Sequence, residues 1–87
     1  VHIHHISTIK AMTKYANRSR NSGVTAYEIE TQGIWVQFRG GKSYLYPAFK
    51  IGSGNFQAMC GYAQNGEGLG TFINTTPIVK NGYTLTR

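Results

Sequence analysis

The chain has 87 residues, 40% hydrophobic and 13% aromatic, enough for one compact domain with a single core and too short for a second. Nine Lys and Arg against three acids give a formal net charge of +6, which favours an anionic partner without choosing among nucleic acid, acidic protein and membrane surface. The single cysteine, Cys60, excludes an intramolecular disulfide and fits a reducing, cytoplasmic setting, and no apolar run approaches the roughly 18 residues of a membrane span or the core of a signal peptide, so no membrane role is expected.

The first stretch, VHIHHISTIKAM, changes character at Met12, so residues 1–11 read as a short extension ahead of the domain. The next run, MTKYANRSRNSG, carries Lys14, Arg18 and Arg20 with no acid and keeps neither a helical nor a strand period. Residues 1–23 are therefore expected to form a flexible basic arm, and residues 24–87 the domain.

Residues 24–31, 34–39 and 42–46 are rich in β-branched and aromatic side chains and alternate in polarity, which predicts three strands. Gln32-Gly33 and Gly40-Gly41 suit two-residue turns and predict an antiparallel meander. Period-two alternation then places Tyr27, Ile29, Ile34, Val36, Phe38 and Leu45 on the core face. Glu28, Glu30, Trp35, Gln37, Arg39, Lys42, Tyr44 and Tyr46 fall on the opposite face, with a one-residue slip at the Gln32 turn enough to invert the first strand.

Phe56, Met59, Cys60 and Ala63 recur at i, i+3, i+4 and i+7, the apolar stripe of one short helix that starts near Ser53 or Asn55 and stops at Gly66. The stripe should pack on the sheet and complete a core with Tyr27, Ile29, Ile34, Val36, Phe38 and Leu45. Downstream, Asn81-Gly82 between apolar residues predicts a small terminal β-hairpin over residues 78–85. The expected fold is α+β: a three-stranded antiparallel meander packed on one short helix, with that hairpin at its end.

From Ser22 to Asn74, about three-fifths of the chain, the order of features resembles the KTSC domain, a small bacterial and phage module also found at the C-terminus of some lysyl-tRNA synthetases. The resemblance is carried by Ser22, AYEI at 26–29, IWVQF at 34–38, Gly41, YLY at 44–46, then Phe56, Met59, Ala63 and GEGLGTFIN at 66–74. The loop YPAFKIGSG and the tail depart from the usual pattern. The resemblance implies an accessory domain of unassigned biochemical role, with RNA suggested by association with the synthetase.

His2, His4 and His5 form the one metal-like cluster, but an extended chain puts His5 opposite the other two and no Cys or carboxylate lies nearby to complete a site, so no metal or cofactor is expected. Cys60 lies on the apolar stripe, where burial raises a thiol pKa, and reads as core rather than nucleophile. GEGLG at 66–70 follows the helix and lacks a Lys-Ser or Lys-Thr continuation, so it reads as helix termination, not a phosphate loop, and 74–77 as a turn. Glu28 and Glu30 are the only close carboxylates and are explained as a solvated hairpin edge; no catalytic set emerges and the expected role is not enzymatic.

The remaining constellation is the mixed sheet face. Trp35, Tyr44 and Tyr46 offer rings for base stacking, and Arg39, Lys42 and the Lys14, Arg18, Arg20 arm offer cations for phosphates. The leading expectation is an accessory module binding RNA or single-stranded DNA. The competing one is a protein-interaction or homodimerisation module using the same aromatic face.

Overall fold

A computed structural model describes residues 12–87; the histidine cluster and the proposed extension over residues 1–11 lie outside the described residues. Five strands, β1 (Thr13–Lys14), β2 (Val24–Glu30), β3 (Gly33–Phe38), β4 (Ser43–Pro47) and β5 (Leu85–Thr86), form one sheet in chain order with antiparallel neighbours. Four helices, α1 (Ala48–Ile51), α2 (Ser53–Asn65), α3 (Leu69–Thr75) and α4 (Pro77–Lys80), all fall between β4 and β5. The fold is thus α+β as expected, with five strands and four helices in place of three strands and one helix.

The predicted strands occupy β2, β3 and β4, but both connecting turns differ from expectation. Glu30 faces Gly33, so the first turn is Thr31-Gln32 and the pairing slips by two residues from the predicted one. A slip of two keeps every side chain on its face. Tyr27, Ile29, Ile34, Val36 and Phe38 accordingly lie on the core side as expected, Ile34 and Val36 buried and the other three packed against the core. The register also shifts between Val24 and Ala26, two residues of β2 spanning one of β3, and this bulge returns Val24 to the core.

The second turn slips by one. Phe38 N–H donates to Lys42 O and Gly41 N–H to Phe38 O, enclosing a three-residue loop, Arg39-Gly40-Gly41, with both glycines at positive φ. Val36 therefore faces Tyr44 and Ile34 faces Tyr46, while Trp35 faces Leu45. An odd slip inverts the strand: Tyr44 and Tyr46 move to the core side and Leu45 to the outer side, correcting the predicted assignment of all three.

Residues 12–23 are part of the domain. Thr13 and Lys14 pair with Tyr27 and Ala26, Tyr15 N–H donates to Thr25 O, and the Tyr15 ring is 2% exposed, its hydroxyl accepting a hydrogen bond from the Leu69 N–H. Beyond Tyr15 the chain is tied to the end of α2 by Arg18, whose backbone N–H donates to Gly66 O and whose Nε donates to Asn65 O. These bonds satisfy carbonyls that a helix C-terminus leaves without partners. The expectation of a flexible arm is corrected for these residues.

The stripe on α2 behaves as its period requires: Met59 and Ala63 are fully buried, with Phe56 and Cys60 packed against them. Gly66 ends α2 in the left-handed conformation at φ 79°, its N–H donating to Tyr62 O and Ala63 O. The chain then enters α3 rather than returning to the sheet, and Leu69, Ile73 and Val79 from α3 and α4 join the core. The predicted hairpin does not form. Asn81 sits at φ −98°, outside the positive range a primed turn needs, and caps α4 by donating from its backbone and its Nδ2 to Pro77 O. Gly82 is needed for space: a Cβ there would lie 2.5 Å from Ile78 O and 2.6 Å from Ile51 Cγ2.

Candidate nucleic-acid interface

The inverted register of β4 divides the predicted aromatic face in two. Trp35 stays on the outer side, where Arg87 Cζ lies 3.9 Å from its ring centroid and Arg87 Nη2 bonds Glu28 Oε1 at 2.8 Å. Arg87 reaches this position because β5 runs along β4, exchanging backbone hydrogen bonds between Arg87 and Ser43. Trp35 is left 6% exposed, a ring covered by a cation of its own chain. That cover leaves little of the Trp35 ring open to a base or to a second copy of the chain. Glu28 is occupied in the same ion pair, and Glu30 stands exposed beside the first turn.

On the helix side, Tyr44 takes part in an edge-to-face series of rings. Phe38 and Tyr44 have centroids 5.8 Å apart at 77°, Tyr44 and Tyr83 4.8 Å apart at 81°, and Tyr46 and Tyr83 6.4 Å apart at 72°. Such geometry places the positive ring edge on the negative face of the next ring. Tyr46 is buried at the inner end and Tyr44 is half-buried, whereas Tyr83 is 43% exposed.

These rings line an open cleft of about 370 Å³ whose other walls are Arg39, Lys42 and Lys80, with Ile73 and Asn74 from α3. Arg39 is fixed by two bonds to the segment before β2, its N–H donating to Gly23 O at 2.7 Å and its Nη2 to Ser22 O at 3.1 Å. Lys42 is exposed beside the β3–β4 loop, and Lys80 is exposed at the end of α4. The lining contains three cations and no acid. Arg39, Lys42, Tyr44 and Tyr46 from the predicted set thus converge, although Tyr46 acts as the buried support of the cleft rather than an open ring.

The other predicted cations are elsewhere. Lys14 and Arg20 border a separate open pocket of about 380 Å³ with Tyr15, Asn17 and Val24, and Arg18 is committed to the end of α2. Lys80 and Tyr83, which complete the cleft, went unrecognised in the sequence because Asn81-Gly82 was read as a hairpin turn. The local signal available was Lys80 followed within three residues by an aromatic ring, across a break in structure.

Burial pushes the Tyr46 hydroxyl up to about 12, reinforced by the neighbouring Tyr44 and Tyr83. Its folded value lies above the unfolded value near 10, so its contribution to stability is complete below pH 10 and is lost as pH rises from there through about 12. Melting temperatures of the wild type and Tyr46→Phe, compared at intervals across this window, should show the wild type losing stability more steeply; parallel curves would exclude Tyr46 as the titrating group.

Burial also pushes the Cys60 thiol up, away from the thiolate a nucleophile requires. Among the described residues no group of three or more His, Cys, Asp or Glu side chains is placed to hold a metal ion, and no helix is long and apolar enough to cross a membrane. No family model, curated protein or solved structure matches the chain.

Proposed function

We propose that this protein is an accessory binding module for single-stranded nucleic acid, RNA or DNA, and that the cleft of Arg39, Lys42, Tyr44, Lys80 and Tyr83 is its site. The observation that carries this reading is the meeting of an exposed aromatic residue, Tyr83, with three cations and no acid in one cleft. A flat ring accepts the face of any unpaired base, and the cations neutralise the phosphates on either side of it. A duplex hides base faces within its stack, so an open ring among cations favours single strands.

The test is titration of a fluorescently labelled single-stranded oligonucleotide. Tyr83→Ala should weaken binding by about 1 to 3 kcal/mol, the usual worth of one base–aromatic stack, while Tyr83→Phe should retain most of it. The salt dependence should stay nearly unchanged in both, because stacking releases no counterions. Absence of binding at low salt would refute the function, and binding indifferent to Tyr83→Ala would remove the cleft as its site.

A further inference from the structure

A second compartment lies beside the aromatic cleft. Asn74 lines both, and Arg39, which belongs to the first, reaches the wall of the second through its bond to Ser22 O. The second compartment encloses about 120 Å³ between the segment before β2 and the start of α3, lined by Ser19, Asn21, Ser22, Thr71 and Asn74 with backbone at Gly23, Gly68 and Gly70. At roughly 30 Å³ per liquid water it holds a handful of waters, the scale of one small polar group.

Its chemistry differs from that of the first compartment. Hydroxyls and carboxamides provide both donors and acceptors, and no cation lines it. Glu67 lies on the adjoining surface, which shares Ser19, Asn21, Gly68 and Thr71, and its charge disfavours a phosphate there. The walls are also set in place. Ser22 Oγ accepts from Val24 N–H, Ser22 N–H donates to Asn17 Oδ1, and Ser19 Oγ donates to Asn21 Oδ1. A neutral, hydroxyl-bearing group that both donates and accepts is the complement of such a lining.

We propose that this polar compartment receives the ribose of the nucleotide adjoining the one stacked on Tyr83, and that its hydrogen bonds to the 2′-hydroxyl make the module selective for RNA over DNA. The inference rests on the nucleic-acid reading of the cleft. The 2′-hydroxyl, donor and acceptor at once, is the group by which a protein distinguishes RNA from DNA at a given position. Phosphates on the cationic side and a sugar on the neutral side assign the two compartments complementary parts of one strand.

The experiment compares single-stranded RNA and DNA probes of the same sequence, with thymine replacing uracil, and RNA probes carrying single 2′-deoxy substitutions, all by fluorescence anisotropy. Wild-type protein should bind RNA about two- to tenfold more tightly than DNA, the span expected for a net hydrogen bond or two. A single 2′-deoxy substitution at one position of the RNA should reproduce most of that difference. Thr71→Val and Asn21→Ala, both at exposed positions, should reduce the RNA preference towards unity by weakening RNA binding more than DNA binding. Equal affinity of the wild type for RNA and DNA would overturn the ribose assignment and leave the single-strand function standing. Variants that weaken both probes alike would overturn it as well. Failure to bind either probe would overturn the function together with this inference.

Discussion

Met59→Ala should destabilise the protein by about 2 to 5 kcal/mol, the range for removing a large buried side chain whose cavity the surroundings fill only in part. Met59 is 0% exposed and belongs to the core cluster formed by Ile34 and Val36 of β3, Ile51 of α1, Leu69 and Ile73 of α3 and Val79 of α4. No single strand or helix can close over the void, because the cluster draws on β3, α1, α3 and α4. At roughly 4 to 8 °C per kcal/mol for a domain of this size, the melting temperature should fall by about 10 °C or more. Phe38→Ala, which removes a half-buried ring at the sheet margin, should cost less. Thermal or urea unfolding followed by circular dichroism measures both. A loss below about 1 kcal/mol for Met59→Ala would mean that α2 is not packed on the sheet as described.

The ranking of these two variants follows from a part of the fold that was legible in the sequence. Phe56, Met59, Cys60 and Ala63 share the helical period, and Ile34, Val36 and Phe38 share the strand period, and each set needs only its own spacing to define a face. The turns were less legible because several Gly-containing loops satisfy the same residues. At the first turn the slip was even and Tyr27 and Ile29 kept their side. At Arg39-Gly40-Gly41 it was odd, and Tyr44, Leu45 and Tyr46 changed sides together.

What the sequence hid altogether has a common physical character. Tyr15 is one aromatic in a polar run, with no periodic partner, and is buried only because α3 comes back over it. The segments of α3 and α4 are short and contain β-branched Thr, Ile and Val, with Gly70 inside α3, all weak signals for helix in isolation. Pro77 suits the first turn of a helix and a turn equally. Their helicity comes from burying Leu69, Ile73 and Val79 against the sheet. The candidate site depended on those helices, since Lys80 and Tyr83 are delivered to Tyr44 by the end of α4 and the segment that leads into β5. Two of its five residues, Lys80 and Tyr83, therefore could not be assembled from local pattern, whereas Arg39, Lys42 and Tyr44, carried by adjacent strands and their loop, could.

Replacing Arg39, Lys42 and Lys80 together with Gln should abolish most of the salt dependence of nucleic-acid binding. If each cation neutralises one phosphate of a single strand, the three contribute roughly 2 to the slope of log affinity against log salt, at about 0.7 per phosphate. Raising salt from about 50 to 200 mM should then weaken the wild type roughly twentyfold, and the triple variant far less. Net charge alone offers a rival explanation, since the chain carries +6 and any loss of cations lowers it. The double variant Lys14→Gln, Arg20→Gln addresses this, because both residues border a different pocket and neither lines the cleft. Exposed charges more than about 8 to 10 Å from a bound strand are largely screened at physiological salt, so the double variant should keep nearly the full slope. Arg18 is left intact because its Nε bond to Asn65 O ties the end of α2 to the segment after β1. Arg39 carries a side-chain bond of its own to Ser22 O, so melting temperatures of both variants are measured alongside to separate stability from binding. Affinities measured for the three proteins across four or more salt concentrations separate the cases. Equal loss of slope in both variants would show a general attraction by the positive surface, and a larger loss in the Lys14, Arg20 variant would move the phosphate track from the cleft to the β1 side of the sheet.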